Sequence, residues 1–207
     1  MNHIPSKKEV NVAMNYRHHV MAASHDVLVD GCWFMAPELL FGIASRETAW
    51  GDTSCYRDIY GTPRDKSDDV GDYSKRRGES QARYHGYGFF QFDIGAWSKW
   101  IATGQWKDVF VAARKAGYLL RDNYRYLDKR RFKIDIARSK KYLPKSDNDL
   151  IIRGAIAGYN CGVGNSYKAL LRCLDADRFT TGRDYSKDVL DLSEWYWQNL
   201  LKPPEAG

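Results

Sequence analysis

Residues 41–50 read FGIASRETAW, and the phase of its apolar residues organises the reading of the whole chain. Leu40, Ile43, Ala44 and Glu47 fall at i, i+3, i+4 and i+7, one face of a helix. Only Glu47 in that stripe is not apolar. Pro37 suits a first helical turn, and Gly42 is the single glycine between Pro37 and Glu47. The spacing predicts a helix over 33–47 with a carboxyl at its inner end. Glu38 lies nine residues earlier and points the other way at about 100° per residue. It reads as a solvated glutamate favoured by the helix dipole. Burial raises a carboxyl pKa, which suits a group that must hold a proton at neutral pH. The plain structural alternative is a helix-end Glu47 paired with Arg46.

The 207 residues suffice for one domain with a real core. Residues 1–207 read as that single domain, with 1–30 a helical extension and 51–86 an inserted loop. Aromatic content is 14 %, high enough to predict either a well-filled core or a cleft that stacks on flat ligand faces such as sugar rings. Net charge is +6, which favours an anionic partner. No nucleic-acid motif accompanies it. The basic clusters Lys75-Arg76-Arg77, Lys129-Arg130-Arg131 and Lys140-Lys141 read as solvated surface. The four cysteines, Cys32, Cys55, Cys161 and Cys173, form no CxxC pair, which disfavours a cysteine zinc site; two disulfides are allowed by count but not specified by spacing. MNHIPSKKEV has no apolar signal region, and no run approaches the ~20 apolar residues of a membrane span.

Outward from the opening helix, residues 7–29 read as one helix. From Gly51 to Gly86 periodicity disappears, and Asp52, Asp58, Asp65, Asp68, Asp69 and Asp72 fall in that stretch. Long loops of this kind are often functional; a surface insertion accounts for the same texture. YGFFQFD, 87–93, reads as a short strand with Tyr87, Phe89, Gln91 and Asp93 on one face. Helical texture resumes over 97–103, 105–127, 150–159, 165–174 and 184–201, with a basic, irregular stretch at 128–146. The fold class is α+β and mostly α-helical, with a small β-hairpin or strand region between helices.

Two further segments carry a polar group at the end of a regular element. One is the stretch ending at Gln91 and Asp93. The other is AIAGYNCGVGN, 155–165, where Ile152, Ala155, Ile156 and Tyr159 repeat the stripe, so that Tyr159 takes the place Glu47 took in its helix. A Tyr159 hydroxyl there suits holding a buried carboxyl, and the glycines after Asn160 allow close backbone approach. Two carboxyls across a cleft are the equipment of glycoside hydrolysis: one protonates the leaving oxygen, the other acts on the opposite face. Glu47 has the apolar setting of the acid, and Asp93 the more solvated setting of the base.

IASRET, GYGFFQFD and AIAGYNCGVGN, followed by TTGRDYSKDVL at 180–190, together resemble the goose-type lysozymes and the related soluble lytic transglycosylase domains. The resemblance runs over roughly residues 33–197. It implies a lysozyme-like fold and cleavage of the β-1,4 bond between N-acetylmuramic acid and N-acetylglucosamine. It implies Glu47 as general acid, with Thr48 keeping the hydroxyl found after the acid in transglycosylases. Gln91 matches the motif glutamine, with Phe89-Phe90 replacing the usual Leu-Met. Tyr159-Asn160 matches the family's Tyr-Asn pair, and Asp93 matches an aspartate that lytic transglycosylases generally lack. The 41 positions from Glu47 to Gly88 exceed the goose-type spacing, so 51–86 carries an insertion; which of its aspartates assists is left open.

The expected function is an inverting peptidoglycan muramidase with Glu47 as acid and Asp93 as base. The alternatives are a lytic transglycosylase giving 1,6-anhydromuramic products and a non-catalytic wall-binding module. Thr48, Gly88, Gln91, Tyr159, Asn160, Tyr87 and His85 are the supporting or substrate-binding candidates, with Tyr84, Trp97 and Trp100 as further aromatics for sugar subsites. No cofactor or metal is implied. The expected partners are bacterial peptidoglycan glycan strands, with no nucleic acid and no stable membrane insertion. A lysozyme inhibitor or immunity protein would accompany an injected effector, and the chain is expected to be a monomer. It would act on the bacterial cell wall, periplasmic or extracellular, as an endolysin, an effector or a secreted enzyme.

Overall fold

A computed structural model describes residues 4–51 and 70–203. Nine α-helices and one three-stranded antiparallel sheet make up the regular elements among them. The central helix, α3 (Pro37–Thr48), follows the apolar stripe closely: Leu40, Ile43 and Ala44 are fully buried. Pro37 opens it, and Ala49 and Trp50 end it in the left-handed region at φ 46° and 50°. Positive φ in two successive non-glycine residues is uncommon. Here it turns the chain so that the Trp50 ring is wholly buried, against Phe41 at 5.3 Å and Phe89 at 5.3 Å.

The single helix expected over 7–29 is two. α1 (Lys7–Asn15) starts on a capping box between Ser6 and Glu9, and α2 (Arg17–Val29) follows a break at Tyr16. Tyr16 is drawn out of helical geometry while its ring packs on Trp50 and Phe89. A further correction concerns 87–93, which is not one strand. β1 (Val70–Ser74) pairs with β2 (Arg83–Tyr87), so part of the expected loop at 51–86 is sheet. The chain then turns at 88–91 and returns as β3 (Phe92–Asp93) alongside β2, pairing Gly86 with Asp93 and Tyr87 with Phe92. Gly88 at φ +74° and Gln91 at φ +48° make that turn. An alternating strand sends Phe90 and Phe92 to one face and Phe89 to the other; the turn lets all three pack toward the same core.

α4 (Ile94–Ala102) and α5 (Val109–Asp128) follow, with Asp93 and Asp108 as their N-caps. The stretch 128–146, expected irregular, contains α6 (Arg131–Ser139). α7 (Asn148–Cys161), α8 (Val163–Leu171) and α9 (Tyr185–Tyr196) complete the order, and a π-helical turn (Trp197–Leu201) ends it. The main apolar core runs from Ala13 and Val20 through α3 to Tyr196, and a second cluster joins Leu127, Ile134, Ile151 and Leu170. α3 lies hard against α9: a Cβ on Gly42 would stand 2.6 Å from the Val189 carbonyl. No helix among the described residues is long and apolar enough to cross a membrane.

Candidate active site

The stripe that buries α3 delivers Glu47 to the wall of an open cleft of about 830 Å³. Gln91, Asp93, Tyr159, Asn160 and Trp97 share that cleft, so three separated stretches of sequence converge on it. Glu47 itself is half-buried. Its partner comes from the far end of the chain: the Tyr185 hydroxyl, at the first residue of α9, donates to Glu47 Oε1 at 2.5 Å. Tyr185 is buried, and burial together with the neighbouring Glu47 charge holds its phenol protonated, well above its ordinary pKa. Arg46, the neighbour of Glu47, is engaged by the same end of the chain. It reaches Asp188 at 3.0 Å and Asp184 at 3.4 Å, with its guanidinium 5.7 Å from the centre of the Tyr185 ring.

Tyr159 closes the other side. Its pKa is also raised well above the usual value, first by burial and then by the Glu47 charge. The expectation that its hydroxyl holds a carboxyl needs correction: it donates to the Phe90 carbonyl at 2.8 Å, which ties α7 to the 88–91 turn. Asn160 accepts from the Thr181 backbone N–H at 2.9 Å and so ties the end of α7 to the segment leading into α9.

The turn is held from within. Gln91 donates through Nε2 to the Gly88 carbonyl at 2.8 Å. Its Oε1 crosses Gly86 so closely that a Cβ there would sit 2.3 Å away, so any larger residue at 86 would push the Gln91 side chain out of this position. Thr48 is buried, with Oγ1 3.0 Å from the Ala44 carbonyl and 3.2 Å from the Phe89 carbonyl. Thr48 and Gly88 therefore stand behind the cleft, joining the end of α3 to the turn, and do not line it.

Asp93 performs several tasks at once. Oδ1 accepts from the Gly95 and Ala96 N–H groups at 2.7 and 3.3 Å, capping α4. Oδ2 lies 2.5 Å from Arg76 Nη2, and Arg76 also lines the cleft. Partial burial pushes its pKa up, but the Arg76 guanidinium and the two backbone donors outweigh this and hold the carboxyl below the usual range.

Four candidates, three aromatics and one histidine, fall away from the cleft. His85 is buried in β2 with Nε2 3.0 Å from Glu79 Oε2, so it serves the hairpin. Tyr87 packs on Trp106 at 5.3 Å, and Trp100 on Phe92 at 4.6 Å; Tyr84 packs against the core. Trp97 alone of the four aromatics singled out lines the cleft, with Lys115 Nζ 4.0 Å from its ring centre. Asp52, Asp58, Asp65, Asp68 and Asp69 lie outside the described residues, as does Cys55; Asp72 falls in β1. Cys32, Cys161 and Cys173 are free thiols. Among the described residues no His, Cys, Asp and Glu side chains gather to hold a metal. Sequence reading missed Tyr185 and Arg76. Tyr185 stood inside the TTGRDYSKDVL segment, but nothing local marked it as a partner of Glu47.

No protein-family model matches the chain. Two curated proteins do. A lysozyme g of Takifugu rubripes is 39 % identical over 67 residues, 31 % of this chain and 32 % of that protein. A lysozyme g of Epinephelus coioides is 30 % identical over 132 residues, 62 % of this chain and 56 % of that protein. The matched region thus spans between a third and just over half of these relatives. By its sequence the chain is similar to the goose-type lysozymes, and its fold is mostly helical α+β.

Proposed function

We propose that the chain is a peptidoglycan muramidase that hydrolyses the β-1,4 bond between N-acetylmuramic acid and N-acetylglucosamine. The observation that carries this is the convergence of Glu47 and Asp93 on one open cleft, with Tyr185 donating to Glu47. In this reading the protonated Glu47 gives its proton to the glycosidic oxygen as the C1–O bond breaks. A water attacks C1 from the opposite face, and its proton passes to Asp93. As the proton leaves Glu47, charge builds on its carboxylate. The Tyr185 hydroxyl meets that charge, so the hydrogen bond strengthens toward the transition state. The similarity to lysozyme g proteins supports the substrate.

A second reading, a lytic transglycosylase, is favoured by one observation. Asp93 is already engaged by Arg76 and two backbone donors and is a weak base in that state. There Glu47 acts as acid and then as base, and the muramyl 6-hydroxyl replaces water. Mass spectrometry of soluble products from purified peptidoglycan separates the two. Reducing muramic ends are the expected result, and Glu47→Gln is expected to lose them by at least about a hundredfold. Anhydro ends, lighter by one water, would establish the transglycosylase. Undiminished activity of Glu47→Gln would remove Glu47 from the mechanism altogether.

A further inference from the structure

The charge of this chain is concentrated. Residues 129–146 carry eight cations against one aspartate, a net +7, whereas the whole chain carries +6, so the remaining residues sum to −1. This segment is α6 with its flanking turns, and none of it lines the cleft. The acids nearest to it are occupied. Asp135 accepts from the Ser146 N–H and hydroxyl, Asp128 pairs with Arg131 at 2.8 Å, and Asp147 caps α7. Arg130 donates to the Tyr126 carbonyl, and Arg138 to the Pro144 carbonyl. Among the described residues Lys129, Lys133 and Lys140 are exposed with no ion-pair partner, and Lys145, also exposed, adds its charge beside Asp135.

A solvated basic face would carry polar residues between its lysines. This one carries apolar ones. Phe132 is 76 % exposed, Ile136 stands one turn further along the same helix face and is also exposed, and Leu143 is exposed beyond it. Only Ile134 of α6 is fully buried. Tyr142 is 98 % exposed and occupies the left-handed position after the helix at φ +57°, where glycine or asparagine is the usual residue. The bond from the Leu143 N–H to the Arg138 carbonyl fixes that turn and throws the phenol outward. The fold gains no packing from Tyr142, yet places an aromatic ring on a backbone conformation that disfavours it.

We propose that the face formed by α6 and the Tyr142 turn docks on an anionic phospholipid bilayer. Lysines among Phe, Tyr, Ile and Leu match the bilayer boundary, where cations meet phosphates and the rings enter the acyl edge. A polyphosphate wall polymer satisfies the lysines but offers nothing to the apolar side chains, which is why the bilayer is the occupant. The contact is peripheral; no helix among the described residues is long and apolar enough to cross the membrane.

The test is co-sedimentation of the full chain with two kinds of vesicle: phosphatidylcholine alone, and equal parts phosphatidylcholine and phosphatidylglycerol. Binding is expected to the mixed vesicles, with little to the neutral ones. Lys133→Glu with Lys140→Glu is expected to weaken it about tenfold or more. Phe132→Ser with Tyr142→Ser is expected to weaken it about tenfold, because both rings leave the apolar boundary. Both variants alter exposed side chains only, so their circular dichroism and their action on soluble glycan fragments are expected to match the parent. Glu47→Gln is expected to bind vesicles as the parent does, so a failure of the catalytic reading leaves this one standing. Absence of binding to the mixed vesicles overturns the proposal. So does binding that soluble poly(glycerol phosphate) abolishes and that ignores the Phe132 and Tyr142 changes, which would assign the face to a wall polymer.

Discussion

At the scale of single residues, Tyr185 and Glu47 lie 138 positions apart and share one short hydrogen bond. A hydrogen bond to a charged group contributes about 1.5–3 kcal/mol. Tyr185→Phe keeps the ring, its packing and its contact with Arg46, and removes only the donor. It is expected to lower kcat by about ten- to a hundredfold with KM little changed, read from initial rates of glycan-fragment release. Arg76 provides the complementary test of Asp93. Arg76 is one of the groups holding that carboxyl below its usual range, so Arg76→Gln raises the Asp93 pKa. A base must be ionised to act. If Asp93 takes the proton from water, the acid limb of the pH–rate profile moves to higher pH in this variant. An acid limb that stays in place would remove Asp93 from the base role. The carboxyl on the α3 stripe was legible because its neighbours set the phase. Neither Tyr185 nor Arg76 was legible, since no periodicity relates them to the groups they touch.

At the scale of elements, the β1–β2 turn is organised by one carboxylate. Glu79 accepts from the Arg76 backbone N–H at 2.8 Å, from Arg83 Nε at 2.8 Å and from His85 at 3.0 Å. These partners, the Arg76 N–H first, push its pKa down from 4.5 to about 2. A carboxyl depressed in the folded state contributes stability above its unfolded pKa and loses it as pH falls through the folded one. The hairpin is therefore expected to weaken between about pH 4.5 and pH 2. Because the same turn positions Arg76, the Asp93 ion pair depends on it. Glu79→Gln is expected to flatten the pH dependence of urea unfolding in that window, relative to the parent. The existence of a small β region was readable from the Gly- and Tyr-rich texture, but its strands were not. The aromatic run at 87–93 alternates well enough to pass for a strand, and only the burial of Phe89, Phe90 and Phe92 toward one core shows that it turns.

At the scale of the whole molecule, α3 is the axis on which the remaining helices are assembled. Gly42 looks like a defect in a helix that otherwise reads well. Its Cβ would meet Ser193 Oγ at 2.5 Å and the Val189 carbonyl at 2.6 Å, and a carbonyl in α9 cannot swing aside as a side chain tip can. Gly42→Ala gains helix propensity yet is expected to destabilise the protein by about 1–3 kcal/mol, measured by denaturant unfolding. Activity should fall with it, because α9 carries Tyr185 to Glu47. One turn further along the same face of α3, the Glu9 carboxyl is fully buried and accepts from Ser45 Oγ and from Tyr196 OH at 3.2 Å. That contact joins α1, α3 and α9 through groups that are 36 and 187 positions apart.

The order of residues is enough to set the local periodic features: the stripe that points Glu47 inward, the Pro37 start of α3, the matching stripe on α7 and the predominance of helix. These depend on neighbours within a turn or two, which is the range over which amino-acid order sets backbone geometry. Which polar groups meet follows from the packing of distant segments. Tyr159 turned to a backbone carbonyl and Tyr185 took its expected place beside Glu47; His85 went to the hairpin, and Asp93 became at once a helix cap and half of an ion pair. Such pairings are set by how packed helices bring remote surfaces together. A hydrogen bond between them costs no regularity in either segment and so leaves no local trace in the order of residues.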